Sequence, residues 1–263
     1  MQIWKNNKLE HFEQSRQFID FQLGRGVFET ILVSQKVGLI LWDGHVERFK
    51  KGANFLGGQV KCDFDGLKKI LREKLSEHEF YRLKLIYLPS CENVLVDYSP
   101  FKMENKNWSL FFDNNLYRGN SPHYKVKSIS YLENLHLNSI ARARGFDDYL
   151  ITDKDGNILE TTIANIFFVN SNGIIETPAL KNNSLLNGTI RNYLIKNINK
   201  TNYSIIEKNI NKSDLPGYNE VFISNSLRIL QTVKKINNIN FYDNKTLIEI
   251  MKFFKKCFQL SNI

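Results

Sequence analysis

Cysteine is scarce in this 263-residue sequence, and its three copies, Cys62, Cys91 and Cys257, form no CxxC pair and no metal-ligand spacing with the five histidines. Neither a zinc site nor a disulfide framework is indicated, and a reduced, cytoplasmic protein is expected. Long apolar runs are also missing. The longest, such as Val37 to Trp42, fall far short of a membrane span, and the first ten residues are polar and charged, so no export or anchoring is expected. Although the net charge is +9, the sequence has no dense Lys/Arg block. Lysines scattered along the chain read as a solvated surface and not as a nucleic-acid footprint, while a basic cleft concentrates an anionic small substrate. There is no internal repeat and no discrete low-complexity segment.

What is present is an ordinary globular balance of 42 % hydrophobic, 13 % aromatic and 24 % charged residues, in a chain long enough for one large or two smaller domains. Gly26 to Ser34 and Val37 to Trp42 read as a β-hairpin. From His45 the apolar residues Val46, Phe49, Ala53 and Leu56 recur at helical spacing up to Gly57. A second helix is predicted over Leu67 to Leu75 and a strand over Tyr81 to Tyr87. Asp113 to His123 concentrates Asn, Gly, Ser and Pro, which places a boundary there: a smaller α/β unit over 1–113, a linker over 114–123 and a larger unit over 124–263. Beyond it, Tyr131 to Arg144 is helical with Gly145 as its stop, and strands Tyr149 to Thr152 and Ile158 to Val169 flank the turn Lys154 to Asn157. The fold class expected is mixed α/β.

Five segments carry groups suited to chemistry. Lys127 sits on a predicted strand before a helix, flanked by Val126 and Ile129, where a partly buried amine has a lowered pKa and attacks carbonyls; a solvated strand lysine is the plain alternative. Glu160 lies in the apolar strand ILETTIANIFFV, and a buried carboxylate calls for a cation, either an arginine or a protonated pyridine ring. Thr189 and Ile190, after Gly188, open a helix whose free N–H groups suit an anion, as most helix starts suit only water. The trio Ser224-Asn225-Ser226 ends a strand as a phosphate holder or an ordinary turn. Arg48, one turn into an early helix, is either a bidentate phosphate clamp or a solvated surface arginine.

Together and in this order the segments GRGVFET, HVERF, KSISYL, ILETTIANIFF, ETPAL, LLNGTIR and FISNSL resemble the fold-type IV pyridoxal-phosphate (PLP) enzymes, which include branched-chain and D-amino-acid aminotransferases and aminodeoxychorismate lyase. The resemblance extends from Gly24 to Leu227. It implies two domains with PLP in the cleft between them, and a homodimer. It makes Lys127 the lysine bonded to the cofactor and Glu160 the partner of the pyridine nitrogen, with Arg48, Thr189, Ile190 and Ser226 on the phosphate and Asn225 beside them. The short length and the run NSPHYKVKSISYLEN are more similar to aminodeoxychorismate lyases than to the longer branched-chain aminotransferases. That points to lyase chemistry on 4-amino-4-deoxychorismate, with Thr30 lining the substrate pocket and helping a proton transfer; transamination by the same lysine is the alternative. The family's Gly-Asp-Gly is Gly24-Arg25-Gly26 here, and its Arg-Gly after the strand near Tyr87 is Tyr87-Leu88-Pro89-Ser90. Arg25 is accordingly expected either to bind a substrate carboxylate or to face solvent.

Overall fold

A computed structural model describes residues 2–5, 8–11, 16–73, 78–90 and 94–260. A two-stranded antiparallel sheet, β1 (Gln2–Lys5) and β2 (Lys8–His11), precedes the short helix α1 (Arg16–Gln22). The first large element is β3 (Val27–Ser34), which pairs with β4 (Gly38–Leu39) as the expected hairpin. The second arm is shorter than predicted because Leu41 adopts a left-handed conformation (φ 53°) and turns the chain directly into α2 (Trp42–Phe55). Helix α3 (Phe64–Glu73) follows, one turn earlier at its start than predicted, and residues 74–75 of that prediction lie outside the described residues. Strands β5 (Phe80–Tyr87) and β6 (Leu95–Pro100) complete a four-stranded antiparallel sheet in the order β4-β3-β5-β6.

Period-two alternation gives this sheet two different faces. Val27, Ile31, Val33, Leu83 and Leu85 pack against Phe49, Ala53 and Leu71 of α2 and α3. On the other face Thr30 stands directly opposite Lys84, with Phe28 two residues away.

The remaining elements build the second sheet: β7 (Trp108–Phe111), α4 (Leu132–Ala143), β8 (Asp148–Thr152), β9 (Ile158–Thr161), β10 (Asn165–Asn170), β11 (Ile175–Pro178), α5 (Thr189–Asn197), β12 (Ile205–Lys208), β13 (Tyr218–Asn225), β14 (Ile229–Ile236), β15 (Ile239–Asn240) and α6 (Lys245–Phe258). Its order is β12-β11-β10-β13-β14-β7-β8-β9, with β15 paired to β14. Strands β9 and β10 are far apart along this path yet joined by the turn at Thr161 to Ala164, so the sheet must curl until its ends meet. Inside the curl lie Trp108, Leu110, Leu150, Ile158, Ile166, Phe168, Ile223 and Val233.

One expectation changes here. The strand predicted over Ile158 to Val169 is two strands, because the Thr161 N–H donates to the Ala164 carbonyl (2.8 Å) and the Thr161 hydroxyl accepts from the Ala164 N–H (3.0 Å), closing a turn that apolar periodicity does not register. Strand β7, which falls in the expected smaller unit, pairs with β14 and β8, so the chain changes sheets between Pro100 and Trp108. The two units share a core in which Leu32, Ile40 and Phe80 meet Phe167, Phe222, Leu194 and Phe254. No helix among the described residues is long and apolar enough to cross a membrane.

Candidate active site

A cavity of about 550 Å³ opens between the two sheets, and Thr30, Arg48, Lys127, Glu160, Thr189, Ile190, Asn225 and Ser226 all line it. Residues from distant parts of the chain thus converge on one space.

Lys127 is not on a regular strand as expected. It lies in an extended segment clipped to the start of β3, where its carbonyl accepts from the Phe28 N–H (2.9 Å) and the Ile129 N–H donates to Gly26 (3.0 Å). This holds Nζ in the cavity, 4.5 Å from the centre of the Phe28 ring. Burial, reinforced by the Arg48 guanidinium, brings its pKa from 10.5 down to about 8, so a useful fraction is neutral near physiological pH.

Glu160, at the end of β9, meets the cation its burial requires. Arg118, itself buried, places NH1 2.7 Å from Oε1, while Oε2 accepts from the Leu186 N–H (3.2 Å) and Asn165 Nδ2 (3.4 Å). Burial nonetheless raises the carboxyl pKa, with Arg118 opposing it. Arg118 is fixed in turn by Glu133 (2.9 Å) and by the face of Tyr124, 4.4 Å away.

Thr189 opens α5 with Gly188 as its N-cap, and the first helical bond runs from the Asn192 N–H to Gly188 O (2.9 Å). The N–H groups of Thr189, Ile190 and Arg191 therefore have no acceptor in the helix. Across from them the Ser226 hydroxyl lies 3.2 Å from that of Thr189. Arg48 reaches the same cup but is already engaged: its Nε and NH2 donate to Glu29 (2.7 and 2.6 Å) and its NH1 to Asn187 O (3.1 Å).

Arg25 is not brought to the cavity. Its side chain is 54 % exposed, with NH1 3.8 Å from Asp20, whose other oxygen accepts from the backbone N–H (2.8 Å) and hydroxyl of Ser90. The two departures from the family pattern thus meet each other on Asp20, outside the cavity. Lys84, and not Arg25, brings a positive charge to the cavity. It lines the cavity, sits 4.9 Å from the Phe28 ring and has no ion-pair partner among the described residues. Alternation in FYRLKLIY places it opposite the core residues Leu83 and Leu85, a readable signal. Arg118 was hidden by its Asn/Gly/Ser-rich surroundings.

The fold and this cavity are those of an enzyme built around a cleft between two sheets. The model of the class IV aminotransferases matches residues 26–236, and the chain belongs to that family, whose cofactor is PLP. It is 31 % identical over 134 residues to a protein of Methanocaldococcus jannaschii named as a branched-chain-amino-acid aminotransferase, a stretch covering 51 % of this chain and 46 % of that one. Among solved structures, a Legionella pneumophila protein named as a 4-amino-4-deoxychorismate lyase superposes with a TM-score of 0.81 at 26 % identity, covering 90 % of this chain and 92 % of that one. An aminotransferase from Brucella abortus, solved with PLP, superposes with a TM-score of 0.79 at 20 % identity, covering 95 % and 96 %.

Proposed function

We propose that the chain is a PLP-dependent 4-amino-4-deoxychorismate lyase, releasing 4-aminobenzoate and pyruvate. The observation that carries this reading is the Thr30–Lys84 pair, which gives the substrate wall of the cavity a free cation and a hydroxyl. An aliphatic branched-chain side chain gains nothing from such a wall, whereas a substrate with two carboxylates does.

The cavity fits the cofactor. Lys127 Nζ suits its aldehyde, Glu160 its ring nitrogen, and the free N–H groups of α5 with the Thr189 and Ser226 hydroxyls suit its phosphate. Asn225, next to Ser226, helps shape the cup by accepting the Leu227 and Arg228 N–H groups (3.2 and 2.9 Å) on its side chain. When bound, PLP supplies a sink for the electrons of a bond broken at the amine-bearing carbon. Arg118 opposes the protonation that burial favours at Glu160, which helps Glu160 to hold a proton on the ring nitrogen. Lys84 binds a substrate carboxylate. Lys127 Nζ removes the proton from the amine-bearing ring carbon, and the bond from the ring to the enolpyruvyl oxygen breaks. The proton passes to the departing group, with Thr30 beside it, and the ring becomes aromatic.

The same reading makes the protein a cytoplasmic homodimer. Leu132 (77 % exposed) and Leu135 (63 %) on α4, with Ile163 at the cavity wall, form the apolar rim that a second copy covers. Light scattering checks the dimer. The activity is tested by incubating protein and PLP with enzymatically generated aminodeoxychorismate and, in parallel, with amino acids and 2-oxoglutarate. Formation of 4-aminobenzoate and pyruvate supports the lyase; glutamate formation alone assigns a transaminase.

A further inference from the structure

The reaction makes no use of His45, yet this ring is 1 % exposed and lies at the centre of a hydrogen-bond chain that ends in the phosphate cup. Its Nδ1 is 2.6 Å from Glu29 Oε2, its Nε2 is 3.2 Å from the Thr189 hydroxyl, and that hydroxyl is 3.2 Å from the Ser226 hydroxyl.

Proton accounting gives the chain a direction. Burial raises the Glu29 pKa, but the Arg48 guanidinium and His45 outweigh it and bring the carboxyl to about 2, so Glu29 only accepts. His45 Nδ1 therefore carries a hydrogen. Burial, with the Arg48 and Lys127 charges, lowers the His45 pKa against the pull of Glu29, which leaves Nε2 bare. Thr189 must donate to it, and Ser226 must then donate to Thr189. In the resting cup, the Thr189 hydrogen points away from any phosphate.

A phosphate dianion reverses this demand. If Thr189 turns its hydrogen to the phosphate, its oxygen faces the bare Nε2, acceptor against acceptor. The charge balance is equally poor, since Arg48, whose guanidinium reaches the cup, is already matched by Glu29 through two bonds. One proton on Nε2 removes both difficulties.

Resting on the assignment of the phosphate to this cup, we propose that His45 is a positioning residue that takes up a proton when a phosphate dianion binds. Neutral, it accepts from Thr189; protonated, it donates to Thr189 and turns that hydroxyl toward the phosphate. The charged groups around it are Glu29 from β3, Arg48 from its own helix and Lys127 from the segment against β3. Because the bound state holds the proton more tightly, affinity is greatest at low pH and is lost as pH rises through the pKa of the bound state.

The test is titration calorimetry of the full-length, cofactor-stripped chain with inorganic phosphate at pH 8, in buffers of different ionisation enthalpy. The wild type and Thr189→Ser should take up about one proton more per phosphate than His45→Gln and Thr189→Val, and only the first two should show the extra weakening of about tenfold per pH unit. Equal uptake in wild type and His45→Gln overturns the inference while leaving the cup in place. No binding, or binding untouched by Ser226→Ala, overturns the cup and the inference with it. Should His45→Gln not fold, 15N spectra of the holoenzyme decide: imidazolium shifts for His45 support the coupling, and a neutral ring overturns it.

Discussion

Arg118 donates to Glu160 across 2.7 Å in the cavity wall, where both groups are buried. Removing one partner strands a buried charge, which costs about 3–5 kcal/mol, whereas removing both charges costs far less. Arg118→Met should therefore unfold at clearly lower denaturant, and the double variant with Glu160→Gln should recover most of that loss. Glu160→Gln alone should retain PLP and lose most activity, because an amide does not hold the ring proton. Full activity in that variant removes Glu160 from the reaction.

Lys127→Ala should fold and bind PLP only weakly, with no turnover. Borohydride reduction of the wild-type holoenzyme, followed by peptide mapping, should find the cofactor on Lys127; a label on Lys125 contradicts the assignment. Since only the neutral amine attacks, capture of PLP should accelerate with pH up to about 8 and then level off, where an ordinary lysine continues to gain up to 10.5.

Lys84→Met should raise the Michaelis constant for a dicarboxylate substrate about tenfold or more, since a charge-assisted bond contributes roughly 1.5–3 kcal/mol and 1.4 kcal/mol is a factor of ten. Arg25→Ala should leave it unchanged, because that guanidinium turns to Asp20. The reverse pattern in steady-state kinetics would return the carboxylate to Arg25.

The Glu29 carboxyl is held down from 4.5 to about 2 in the folded chain. Its contribution is complete above pH 4.5 and is lost as pH falls toward 2. At about 1.4 kcal/mol per pH unit this is about 3 kcal/mol. Glu29→Gln should be less stable than wild type by about that amount at pH 7, with the gap narrowing as acid is added; a gap independent of pH contradicts it.

At Gly188 an added Cβ would clash with Asn165 Oδ1, on the side chain whose Nδ2 donates to Leu186 O (2.8 Å). Gly188→Ala should displace Asn165 at a cost of about 1–3 kcal/mol and weaken PLP retention on dialysis. Retention equal to wild type would show that the cup tolerates the shift.

Much of this site is legible in the sequence because its parts sit at element ends marked by local chemistry. Gly188-Thr189 announces a helix start, and Ser224-Asn225-Ser226 a strand end. Glu160 stands out as an acid in an apolar run. What the sequence conceals is pairing over long separations. Nothing near Arg118 signals Glu160, 42 residues on, and nothing near Asp20 signals Ser90, 70 residues on. The turn at Thr161 to Ala164 is hidden for a different reason: its residues are as apolar and β-branched as the strands it separates, so side-chain period carries no trace of the break.

The backbone bond from Phe28 to Lys127 has a consequence for assembly. Lys127 is positioned by the first sheet and Glu160 by the second, so neither sheet alone brings the two side chains to one cavity. A nascent chain that has completed its first 100 residues has a sheet whose β3 lacks its last neighbour, and that vacancy fills only when residues 126–129 have been made. On the proposed placement, a cofactor held by both halves would act as a rivet across the seam: binding the assembled form alone, it would make the mature protein harder to open than either sheet's own packing does.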